Sequence, residues 1–183
     1  MGNIFFHPMV VHFPIALFTV YSAMEFVRWR HLTKLPFWEG TKAVLVIVGT
    51  VSTFVALQSG EAIEQKFLGD ASLWPVIRAH NTWANVTAWI YGIIAVPYFL
   101  KLIKDHGYLA ALEAKLRGHY QSFMRLLNSA AMFAVSMTAS LWMLPLALFG
   151  LVAVTITGAL GGSIVFGPNA DPFISFVYSI YGF

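Results

Sequence analysis

The chain has 183 residues, of which 58% are hydrophobic and only 10% charged, with a mean hydropathy of +0.72 and a formal net charge of +3. Soluble domains carry roughly 25% charged residues, so this composition excludes water as the main solvent and leaves lipid. The absence of cysteine excludes disulfides, thiolate zinc sites, Cys-ligated iron–sulfur clusters and covalent c-type haem attachment, and no basic patch on a soluble face supports nucleic-acid binding.

Taken in chain order, the apolar runs are long and continuous, which favours spanning helices over a closed barrel of short alternating strands. The expected fold is all-α, an integral membrane four-helix bundle in a single domain with spans at about 6–27, 42–59, 81–103 and 141–161. The first run has no basic segment before it and reads as a retained span rather than a signal peptide; it ends at Arg28-Trp29-Arg30-His31. The second follows Lys42 and ends at Gly60-Glu61. The third ends at Lys101 and Lys104, with Pro97 as a candidate kink. Residues 105–140 read as an interfacial segment, including an interfacial helix before the last span. Phe123–Gly162 is about twice the length of one span of about 20 residues, so a division at Pro145 gives five spans as the alternative. The tail, 162–183, carries Gly167-Pro168-Asn169 and Asp171-Pro172 and is expected to be rich in turns, ending in aromatic residues. No internal repeat is visible.

Basic residues set the expected orientation. With four spans, one side holds Arg28, Arg30, Lys34, Lys42, Lys101, Lys104, Lys115, Arg117 and Arg125, and the other only Lys66 and Arg78. By the positive-inside rule the first side is cytoplasmic. The N-terminus and the 61–80 loop then lie outside. Trp29, Trp38, Trp74, Trp83 and Trp142 fit an aromatic belt.

Ionisable residues within spans are costly and point to function. The most specific are in His7-Pro8-Met9-Val10-Val11-His12-Phe13-Pro14. The five-residue separation turns about 140° on a regular helix, so the two histidines need not face one partner. His7 reads equally well as an interfacial cap. His12 lies deeper among apolar neighbours, where an unpaired imidazole would lose hydrogen bonds. His80 enters the third span from the same side. His12 and His80 are thus at similar depth and can bind a haem iron from both faces; the competing reading makes His80 a helix cap beside Asn81 and Thr82. His31, His106 and His119 read as solvated. Glu25 and Glu61 read as interfacial acids. Gly158, Gly161 and Gly162, with Thr155 and Thr157, form a small-residue face suited to helix packing or to a flat macrocycle.

The stretch His7-Pro8 … His12-Phe13-Pro14-Ile15-Ala16-Leu17 resembles the start of a bacterial membrane-protein family catalogued as a domain of unknown function, number 2231. Gln58-Ser59-Gly60-Glu61, His80-Asn81 and Gly161-Gly162-Ser163-Ile164-Val165-Phe166 are similar to later stretches of that family, although Phe166 stands where the family often has Tyr and the 105–140 insertion is long. The family's layout is similar to that of small b-type cytochrome membrane subunits. The resemblance implies a multi-pass protein of the bacterial inner membrane, its N-terminus extracytoplasmic. The expected function is an electron-transfer subunit of an oxidoreductase complex rather than an enzyme in itself. It would bind haem b non-covalently near the outer face, with His12 and His80 as the axial ligands of the iron and His7 as substitute or second-site ligand. Expected partners are other membrane-complex subunits and a cytochrome c or a quinone. The alternatives are a cofactor-free structural accessory subunit and an outer-face metal-handling protein built on His7, His12, Met1 and Met9.

Overall fold

A computed structural model describes residues 6–27, 30–64, 69–115 and 120–182; Met1, Arg28, Trp29, Lys66, Arg117 and His119 lie outside them. Among the described residues the chain is all-α, in the order α1 (Phe6–Phe26), α2 (Arg30–Thr33), α3 (Trp38–Glu64), α4 (Trp74–Asp105), α5 (Tyr108–Lys115), α6 (Gln121–Thr138), α7 (Met143–Phe166) and α8 (Pro172–Ile180). A 3-10 turn at Ala71–Leu73 leads into α4. The helices α1, α3, α4 (with that turn) and α7 are long and apolar enough to cross a membrane. Their outward faces carry exposed Phe54, Trp89, Phe99 and Phe149, a surface for lipid rather than water.

Local chemistry sets the helix ends. Asp70 caps the 3-10 turn through the Ser72 N–H and hydroxyl, and these donors hold its carboxyl below the usual carboxylate range. Gly107 (φ +74°) and Gly167 (φ +91°) end α4 and α7 in backbone that favours glycine. The long apolar stretch after Phe123 breaks at 139–142, ahead of Pro145, which becomes the third residue of α7. The N–H of that position has no intrahelical acceptor in any case, so the proline costs no bond. Pro14 and Pro97 sit inside α1 and α4 without interrupting either. The tail differs from the expected run of turns. It folds as α8, because Asp171 accepts hydrogen bonds from the Phe173 and Ile174 N–H groups and Pro172 opens the helix.

The four long helices pack as a ring in the order α1, α3, α4, α7, so α1 and α4 lie across one diagonal. Midway along the bundle that diagonal is closed. Phe18 stacks on Tyr91 with ring centroids 3.7 Å apart, and the Tyr91 hydroxyl donates to Ser22, whose own hydroxyl donates to the Ala147 carbonyl. Nearer the C-terminal end of α1, Glu25 is buried, contrary to its reading as a solvated acid. One of its oxygens accepts from Tyr21 (3.0 Å), Tyr98 (2.6 Å) and Lys42 (2.9 Å). Burial of a carboxylate without such donors would be prohibitive; the i, i+4 spacing puts Tyr21 beside Glu25 on α1, but nothing in the spacing of Lys42 and Tyr98 hints that they join it.

Candidate functional site

At the other end of the bundle the same diagonal stays open. A cavity of about 330 Å³ lies between α1, α3, α4 and α7, and His7, His12 and His80 all line it. This volume is at the lower end for small-molecule and cofactor sites, which run from about 300 to 1,000 Å³. Its walls are apolar apart from the imidazoles, Asn81 and three threonines.

The histidines are held in different ways. His7 is half-buried, and its ring lies against α3, with Cε1 3.1 Å from where a Cβ of Gly60 would stand. Its Nδ1 is 2.8 Å from the Ser59 hydroxyl. That hydroxyl already donates to the Ala56 carbonyl, so Nδ1–H is the donor. His80 repeats this on the facing side. Its Cε1 is 3.0 Å from the Cβ position of Gly161 on α7, and its Nδ1 donates to the Thr157 carbonyl at 3.0 Å. His12 is exposed, and its Nδ1 donates to the carbonyl of Pro8 on its own helix. In all three, Nδ1 carries the proton and Nε2 is left with its lone pair. Among the described residues no hydrogen bond engages Nε2. Fixing one ring nitrogen in this way is how proteins orient a ligating imidazole.

The site has an approximate two-fold arrangement that is invisible as sequence similarity. On α1, His7 and Phe18 are eleven residues apart, as are His80 and Tyr91 on α4; the glycines that receive these rings, Gly49 and Gly60 on α3 and Gly150 and Gly161 on α7, have the same spacing. Eleven residues are close to three helical turns, about 17 Å, so each helix presents the same face twice. Seven residues further on, Glu25 meets Tyr98. The cavity walls follow the same relation: Pro8, Val11 and Pro14 answer to Asn81, Ala84 and Thr87, while Thr53, Ala56 and Leu57 answer to Val154, Thr157 and Gly158. Since Phe18 stacks directly on Tyr91, the equivalent pair one layer outward is His7 and His80. His12 corresponds instead to Asn85, and both are exposed.

All three histidines singled out from sequence therefore reach one cavity, and the ring-to-glycine relation groups His7 with His80. The structure adds Gly60, Ser59 and the Thr157 carbonyl, whose roles depend on a neighbouring helix. Of the small-residue face on α7, Thr157, Gly158, Gly161 and Gly162 line the cavity, whereas exposed Thr155 bonds back to Leu151. His80 lies within α4 rather than capping it, and His31, His106 and Glu61 are exposed. Among the described residues no three His, Cys, Asp or Glu side chains gather closely enough to hold a bare metal ion. The donor set fits a planar macrocycle better, since such a group needs only an imidazole on each face, glycine clefts behind the rings and apolar walls. No protein-family model matches the chain, and neither does any curated protein or solved structure.

Proposed function

We propose that this chain is a membrane electron-transfer subunit that holds a non-covalent b-type haem across the diagonal of its bundle, with His7 and His80 as the axial ligands. The observation that carries this reading is the pair of imidazoles lining one cavity, each protonated and anchored at Nδ1 on a neighbouring helix and each backed by a glycine. A haem with both axial positions filled supplies one-electron transfer and leaves no position for oxygen chemistry. The chain's own part is to fix both imidazoles before binding, to surround the site with apolar walls that exclude water, and to seal it from the opposite end with the Phe18–Tyr91 stack. His12, at the cavity edge, is the third imidazole and the substitute ligand.

Lys34, Lys42, Lys101, Lys104, Lys115 and Arg125 belong to the end away from the cavity, which the positive-inside rule assigns to the cytoplasm. The cavity then lies toward the extracytoplasmic face of a bacterial inner membrane. A quinone pool on one side of the transfer and a cytochrome on the other are the fitting partners, within a larger complex.

The test is an optical spectrum of protein produced with haem available, oxidised and then reduced with dithionite. Sharp b-type bands are expected, and their absence would leave a cofactor-free accessory subunit. His7→Ala and His80→Ala should each abolish the low-spin spectrum, whereas His12→Ala should keep it. The reverse result for His7 and His12 would establish His12 with His80 as the ligand pair.

A further inference from the structure

Helix α6 is built unlike the four spans, and its surface divides into three strips. Met124, Ala131 and Thr138, seven residues apart, are buried on a helix that packs against α4. A second strip exposes Phe123, Leu126, Ala130 and Phe133, with Phe123, Leu126 and Phe133 exposed by 57%, 69% and 68%. The third exposes Ser122, Arg125, Ser129 and Ser136. At 100° per residue the apolar and polar strips are adjacent, each about a third of the circumference. A helix in water has no use for the second strip, and a helix crossing a bilayer has no use for the third. A helix lying in the headgroup plane uses all three.

Its surroundings agree. Within four residues of its end, α6 leads into the spanning helix α7 through exposed Leu141 and Trp142, and tryptophan favours the membrane–water boundary. On its polar edge the Lys104 ammonium lies 2.7 Å from the Met132 sulfur. Met132 is seven residues from Arg125 and on the same side of the helix. Among the described residues no carboxylate is within ion-pair distance of Lys104 or Arg125, while nearby Lys101 is tied to Asp105 at 2.6 Å. These two cations lie together on the side of the polar strip nearer α4.

We infer that α6 lies flat in the leaflet at the basic end of the bundle and binds anionic phospholipid headgroups through Lys104 and Arg125. The cysteine-free sequence makes the test direct. Ser136→Cys and Phe123→Cys variants of the full chain, about 140° apart around α6, each spin-labelled, are placed in vesicles of phosphatidylcholine and phosphatidylglycerol. The label at 123 should collide with dissolved oxygen and be shielded from a water-soluble nickel chelate, and the label at 136 should behave in the opposite way. Nickel access at both positions would place α6 in water, and shielding at both would bury it in protein or bilayer; either result overturns the inference. For the lipid class, phosphatidylglycerol retention by Lys104→Gln and Arg125→Gln proteins should fall about fivefold per basic residue removed. Retention unchanged in both variants would reject the anionic-lipid assignment.

Discussion

The two ends of the bundle solve one packing problem in opposite ways. At both levels a ring from α1 or α4 enters a glycine cleft on α3 or α7. Midway, the entering rings are Phe18 and Tyr91, which meet and stack, and beyond them Glu25, Lys42, Tyr21 and Tyr98 close the interior with a saturated hydrogen-bonded ion pair. At the far end the entering rings are imidazoles, smaller than the phenyl and phenol groups, and the diagonal remains open as a cavity. A difference of ring type at two symmetric positions thus separates a sealed structural layer from one able to hold a ligand. The sealed layer should govern stability and the open layer should govern binding.

The strongest challenge to that division is Lys42→Met. It removes the Lys42 ammonium from buried Glu25, and breaking a buried pair costs about 3–5 kcal/mol. Thermal unfolding of the purified protein should drop accordingly, while any cofactor spectrum of the folded fraction is unchanged. A spectral change equal to the stability loss would mean that the layers are not separate.

A finer comparison uses the four glycines. Gly49→Ala and Gly150→Ala would place a Cβ 2.6 Å from the Phe18 ring and 2.9 Å from the Tyr91 ring, and overpacking of this kind costs about 1–3 kcal/mol. Gly60→Ala and Gly161→Ala press on His7 and His80 at 3.1 and 3.0 Å. Here the neighbouring cavity gives the imidazole room to move, so stability should fall less and haem affinity more. Parallel melting and haem-titration curves on the four variants would show whether the two effects divide this way.

The smallest expected effect concerns the tail. Asp171→Ala removes the cap of α8, worth about 1 kcal/mol. The Ile174 side chain packs against Gly162 at the cavity wall, so local hydrogen exchange in α8 should rise without loss of the bundle. Global unfolding instead would make α8 part of the sealed layer.

Much of this was legible in the residues themselves. Four apolar runs, an amphipathic stretch between the third and fourth, and histidines at one end of two spans follow from composition and period alone. The ring order was not legible, because it depends on how each helix is rotated against its neighbours. His7 is half-buried against Gly60 on α3, and His12 is exposed, although both line the cavity. Glu25 was misread for the same reason: its partners Lys42 and Tyr98 are 17 and 73 residues away. The repeat in the architecture escaped notice because it preserves positions and ring-to-glycine contacts rather than residue types.

Sequence alone determined the solvent, the long apolar helices and the set of imidazoles available, since each depends on side-chain transfer energies and on spacing within one helix. Only the tertiary structure decided which imidazoles pack against which glycines, which nitrogen each leaves free, and which end of the bundle is open. Those properties depend on how the face of one helix meets the grooves of its neighbours, and in a bilayer that meeting is governed by the close packing of small residues and rings rather than by hydrophobic pattern.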